Sequence, residues 1–147
     1  MRHKKLQVGF VGLGKLGKIA AETIHKYHHC FGYDLYFDDP ETSQERQDAV
    51  RSHTSSNLEG ACEDRDIVLI AVQTPHHPDY DGREPTSHLP PKDFNYEHII
   101  KVVKDVDDRV NEGTIIAVIS TMLPGTVREH IAPLVKRGRF VYNPYLI

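Results

Sequence analysis

Gly12-Leu13-Gly14-Lys15-Leu16-Gly17 is the stretch on which the reading of this 147-residue chain turns. It follows Leu6–Val11, a short apolar run that reads as a buried strand. It opens a segment in which Leu16, Ile19, Ala20, Thr23, Ile24 and Tyr27 recur at helical spacing. A G-x-G-x-x-G between strand and helix is a dinucleotide-binding pattern. Gly12 permits the tight turn, Gly14 lets the backbone approach a pyrophosphate, and Gly17 allows close packing of helix on strand. The helix start at Lys15, Leu16 and Gly17 offers free N–H groups and partial positive charge to phosphate oxygens. The macrodipole contributes only about 0.3–1 kcal/mol per charge, so N–H bonds and adenosine burial must carry most of the affinity. The alternative is a tight strand–helix turn without a ligand.

The rest of the chain keeps the same alternation. Leu35-Tyr36-Phe37 reads as a second strand ending at Asp38-Asp39-Pro40, followed by a polar helix over 42–51. A short third strand is expected near 52–56 and a short helix at 57–64. Ile67–Val72 is a nearly continuous apolar run, suited to a central parallel strand covered on both faces. Tyr96, Ile99, Ile100, Val103, Val106 and Val110 mark the next helix. Ile115–Ile119 reads as a strand, Thr126–Val135 as a helix and Phe140–Tyr142 as an edge strand. About six strands alternating with helices predict one α/β domain over 1–147, a doubly wound parallel sheet (a Rossmann fold) in the order 3-2-1-4-5-6. Pro75–Pro91 breaks the rhythm with five prolines and a turn-forming Asp81-Gly82. Loops of that length are functional or disordered, and this one leaves a strand end where ligands sit in such sheets.

Asp38 stands 21 positions after Gly17, about where a ribose-binding acid is expected. Its carboxylate can accept from both adenosine ribose hydroxyls, and a 2′-phosphate would face Asp38 and Asp39. With no adjacent arginine in the sequence to offset those acids, NAD is favoured over NADP; a plain turn residue before Pro40 is the alternative.

Four further motifs carry a family resemblance. Asp66-Ile67-Val68-Leu69-Ile70-Ala71-Val72-Gln73-Thr74-Pro75 resembles the D-[IV]-x-[FL]-I-x-V-x-T-P segment of the UDP-glucose/GDP-mannose 6-dehydrogenases. Asp81-Gly82 with Asp93-Phe94-Asn95-Tyr96 is similar to their D-G … D-[LF]-[ST]-Y, with residues inserted between. Ser120–Thr126 resembles S-T-V-x-P-G-T, and Asn143-Pro144-Tyr145-Leu146 occupies the place of N-P-E-F. The likeness runs from about residue 6 to Ile147. It implies that Val72, Thr74 and Thr121 line NAD. Read without it, Thr74 is a residue before a turn proline and Thr121 a strand-end cap.

Two departures qualify the resemblance. Tyr145 stands where the family carries a glutamate that assists the chemistry, and a phenol with a pKa of about 10 cannot replace a carboxylate base. Gln73 replaces a residue that is usually glycine. The family also forms a thiohemiacetal on a cysteine in a later F-x-G-G-x-C segment, and no such segment occurs in these 147 residues. Cys30 and Cys62 read as packing residues, so no catalytic residue is assigned. The chain is expected to be a cofactor domain alone, meeting a nucleotide sugar only if a substrate domain is supplied elsewhere.

Other signals exclude more than they assign. A net charge of −3 gives no electrostatic reason to expect nucleic acid. No run approaches the ~20 apolar residues of a membrane span, and two cysteines outside any C-x-x-C pattern suggest free thiols in a cytoplasm. His25, His28 and His29 beside Cys30 make zinc conceivable. Polar residues complementing a helix C-terminus are the preferred reading, and no metal is assigned. Two competing functions remain. The 6-phosphogluconate and β-hydroxyacid dehydrogenases share a start similar to Gly9–Gly17, but they continue differently from Tyr142-Asn143-Pro144-Tyr145. A non-catalytic NAD-binding sensor or partner module is the other.

Overall fold

The computed structural model describes residues 4–144, which build a parallel sheet with helices on both faces. In chain order the elements are β1 (Gln7–Val11), α1 (Lys15–His25), β2 (His29–Tyr33), α2 (Gln44–Val50), α3 (Leu58–Cys62), β3 (Ile67–Ile70), α4 (Glu97–Asp107), β4 (Ile115–Val118) and β5 (Arg139–Tyr142). The strand order is β2-β1-β3-β4-β5, and every pairing is parallel. The doubly wound α/β expectation holds, with five strands rather than six among the described residues. The strand expected near 52–56 is reduced to a single parallel bridge between Gly32 and Ser55, beside β2. Its place is the predicted one.

The alternation of side chains explains the two layers. On β1, Val8 and Phe10 point to one side, where Leu13, Ala21 and Cys30 complete a cluster with α1. On β3, Val68 and Ile70 point to the other, against Ile99, Val103 and Val106 of α4. Successive strand residues face opposite ways, so a sheet covered twice needs the continuous apolar runs seen here. Asp107, at the end of α4, is buried; its carboxylate accepts the backbone N–H groups of Lys136, Arg137 and Gly138 at 2.8–3.1 Å, tying α4 to the approach of β5.

Two local expectations need correction. Leu35–Phe37 is a 3-10 turn, not a strand; the second strand is His29–Tyr33. Its register against β1, from Gln7↔His29 to Val11↔Tyr33, ends the strand four residues before the predicted Phe37. The expected helix over Thr126–Val135 is a π-helical turn at Val127–Ile131 and a 3-10 turn at Ala132–Leu134. Pro133 has no N–H with which to continue an α-helical ladder. No helix among the described residues is long and apolar enough to cross a membrane.

Candidate functional site

The turn after β1 is shaped by its glycines. Gly12 has φ +96°, and a Cβ there would lie 2.5 Å from the Ala71 carbonyl oxygen. A Cβ on Gly17 would overlap the Gly12 carbonyl oxygen. Gly14 differs: it is the N-cap of α1, and a Cβ would meet nothing within 4 Å. The space above it is open, as a close approach by a ligand requires. The first helical bond runs from the Lys18 N–H to the Gly14 carbonyl, and no side chain caps the helix. The N–H groups of Lys15, Leu16 and Gly17 precede that bond, so they have no partner within the helix.

The same turn is locked to β2. The Gly12 N–H donates to the Tyr33 carbonyl at 2.9 Å, and the Leu13 N–H donates to Asp34 Oδ2 at 2.7 Å. Asp34 Oδ1 accepts from the Tyr36 N–H, capping the 3-10 turn. A cavity of about 330 Å³ opens here, lined by Gly12 and Gly14, by Asp34, by Val72 beyond β3, and by Lys101 and Asp105 of α4. Its apolar walls include Leu35, Val50, Leu58 and Val102. Tyr33 also faces it. Burial, then a hydrogen bond and the charge of Asp38, then the charges of Asp34 and Asp105, push the Tyr33 phenol above its ordinary range.

Asp38, the predicted ribose acid, does not end the second strand. It is the C-cap of the 3-10 turn, beside the Tyr33 phenol, and is absent from the cavity lining. The acid that follows β2 into the cavity is Asp34. Sequence reading missed it because the apolar Leu35-Tyr36-Phe37 outranked His29–Tyr33 as a strand. The signal was the acid directly after Gly32-Tyr33.

Beyond β3 and β4, the Thr74 hydroxyl donates to the Thr121 carbonyl and the Ser120 hydroxyl to the Val72 carbonyl, each at 2.6 Å. The predicted Val72, Thr74 and Thr121 are thereby brought together, although only Val72 lines the cavity. Tyr96 links the next motif to this one, its phenol oxygen accepting from the Leu123 N–H. Pro75–Pro91 closes on itself: the Tyr80 hydroxyl donates to the Pro90 carbonyl, and the Asn95 N–H to Pro75 at 2.8 Å. Tyr145 lies outside the described residues.

Both cysteines are buried. Burial pushes the Cys30 thiol up to about 11 and the Cys62 thiol up to about 12. His25 Nδ1 accepts from the Cys30 N–H and His28 Nδ1 from the Leu6 N–H, so two imidazoles of the histidine cluster serve backbone donors.

A family model described as the UDP-glucose/GDP-mannose dehydrogenase family, NAD binding domain, matches residues 34–144. The chain belongs to that family. The match starts at Asp34 and so leaves out the glycine turn, but solved structures overlay nearly the whole chain. A GDP-mannose dehydrogenase from Pseudomonas aeruginosa is 21% identical with a TM-score of 0.66, over 95% of this chain and 36% of its own. A UDP-glucose dehydrogenase from Pyrobaculum islandicum is 20% identical with a TM-score of 0.66, over 98% and 37%. A 3-hydroxyisobutyrate dehydrogenase from Mycobacterium tuberculosis overlays at 0.60, with 16% identity over 96% and 40%. At these identities the overlays show the shared fold, and the family model separates the two dehydrogenase resemblances. This domain spans a little over a third of the length of the nucleotide-sugar dehydrogenases it overlays. No curated protein matches it. A nicotinamide dinucleotide is therefore the cofactor class, and the open space at Gly14 with uncapped N–H groups beside it fits one.

Proposed function

We propose that this domain binds NAD in preference to NADP, as the cofactor half of an enzyme oxidising the primary alcohol of a UDP- or GDP-sugar to the acid. The observation that carries the reading is Asp34, a carboxylate at the end of β2 on the cavity that begins at Gly12 and Gly14. An ionised carboxylate offers about four acceptor sites, and two serve Leu13 and Tyr36, leaving capacity for both ribose hydroxyls. A 2′-phosphate would instead meet a like charge.

The pyrophosphate then lies over Gly14 against the N–H groups of Lys15, Leu16 and Gly17. Val72, Thr74 and Thr121 orient the nicotinamide end, their strand ends held by the Thr74–Thr121 bond. NAD, when bound, supplies the hydride acceptor. The sugar pocket and the covalent nucleophile are assigned to residues outside this domain, since Cys30 and Cys62 are buried and held as neutral thiols. Such thiols fit a reducing cytoplasm.

Calorimetric titration with NAD and NADP tests the reading. NAD should bind at least about tenfold more tightly. Equal or tighter NADP binding overturns the Asp34 assignment, and no binding of either overturns the cofactor site.

A further inference from the structure

Helix α4 has two working faces. Ile99, Val103 and Val106 are fully buried in the core, whereas His98, Lys101, Val102 and Asp105 line the cavity. That second set follows i, i+3, i+4, i+7, a single stripe along one side of the helix. Lys101 and Asp105 stand one turn apart within it. Among the described residues they form no ion pair, the pairs present being His77–Asp79, Arg83–Asp81, Arg109–Glu59 and Arg128–Glu129. Arg109, paired with Glu59, meets Asp105 at its backbone carbonyl, at 2.7 Å, and not at its carboxylate. Lys101 is exposed at the rim and Asp105 is half-buried. The cavity wall thus presents a charged donor and a charged acceptor side by side, neither consumed by the other.

The neighbouring walls limit what can meet them. Asp34 and the glycine turn occupy one side, and Leu35, Val50, Leu58 and Val102 supply apolar surface. A flat heteroaromatic ring satisfies such walls, and its polar edge would face α4. Adenine carries a donor, its 6-amino group, next to a ring nitrogen that accepts.

We infer that Lys101 and Asp105 read the adenine edge of the dinucleotide: the 6-amino group donates to the Asp105 carboxylate, and the adjacent ring nitrogen accepts from the Lys101 ammonium. This rests on the NAD reading above and extends it to base specificity. A hypoxanthine base carries a carbonyl oxygen at position 6, which would meet Asp105 acceptor against acceptor. Hydrogen bonds to charged groups are the stronger kind, and a half-buried carboxylate set against a carbonyl oxygen loses that bond and is repelled as well. Asp105 therefore selects adenine, and Lys101 adds affinity.

The test is titration of the whole chain with NAD and with nicotinamide hypoxanthine dinucleotide. NAD should bind about tenfold or more tightly, and Asp105→Ala should bring the two within about twofold while Lys101→Met weakens NAD. Far-UV circular dichroism and the thermal midpoint establish that each variant is folded; Asp105→Asn serves in place of any that is not. Equal affinities in the unaltered chain overturn the base-reading role while leaving the NAD site standing. A preference unchanged in the Asp105 variant overturns it as well. If neither dinucleotide binds, both this inference and the cofactor reading are overturned.

Discussion

Asp34 Oδ2 accepts the Leu13 backbone N–H at 2.7 Å, so the acid after β2 and the glycine turn after β1 are one unit. The bond fixes the carboxylate relative to Gly12 and Gly14. A ribose hydroxyl and the neighbouring pyrophosphate would then meet groups whose spacing is set before binding, which lowers the ordering cost of association.

The first prediction separates two neighbouring acids. Asp34→Asn keeps one acceptor oxygen, enough for the Leu13 N–H that holds the glycine turn, gives up the bond from the Tyr36 N–H, and removes the charge facing the ribose. NAD affinity should fall about tenfold, in line with a hydrogen bond to a charged group. NADP should gain relative to NAD, because the carboxylate charge that repels its 2′-phosphate is gone. Asp38→Asn should leave both affinities unchanged. Titration of both variants decides whether the strand-end acid is Asp34.

Gly14 and Gly17 should fail in different ways. A side chain at Gly14 enters open space, so Gly14→Leu should fold with an unaltered thermal midpoint and bind no NAD. Gly17→Ala drives a methyl into the Gly12 carbonyl and should cost about 1–3 kcal/mol or more of stability, read from urea denaturation. Normal stability in Gly17→Ala would contradict the packing described.

Thiol chemistry should follow burial. Cys30 and Cys62 should resist alkylation in the native protein at pH 8 and react fully in urea. Their folded-state values, about 11 and about 12, lie above the ordinary 9.0 of an unfolded thiol. Folding therefore favours the protonated forms. This contribution is fully present below pH 9 and is lost as pH rises through the folded values. Urea midpoints should fall between pH 8.5 and pH 11, less so in Cys30→Ala than in the parent chain.

The Pro75–Pro91 segment is anchored at Pro75, on the cavity wall, by the Asn95 N–H. Hydrogen exchange at Tyr80–Thr86 should slow when NAD is added. Identical exchange with and without cofactor would return the segment to the status of a surface insertion.

Activity should be absent from the domain by itself. With UDP-glucose or GDP-mannose and NAD, NADH formation by the purified chain should stay at background, since no thiolate nucleophile is exposed in it. Steady turnover would show that a catalytic group has been overlooked.

Local chemistry made the glycine turn legible in the sequence. Gly12 needs its positive φ, Gly14 its open side and Gly17 its close contact whatever the rest of the chain does, so three glycines between an apolar run and a helical period suffice. The buried strands were legible for a similar reason: a sheet covered on both faces leaves Ile67–Ile70 and Ile115–Val118 no polar position. The place of the acid was decided only by tertiary structure. His29–Tyr33 has an exposed histidine and a glycine, and a Cβ at that Gly32 would lie 2.9 Å from Leu13; the strand exists because β1 pairs with it, residue for residue, from Gln7 to Val11. Leu35–Phe37 has better strand residues and no such partner. Lys101 and Asp105 were hidden in the same way, since helical spacing shows which residues share a face but not that this face of α4 walls a cavity. Propensity is a property of a segment, whereas pairing and enclosure belong to the assembled sheet.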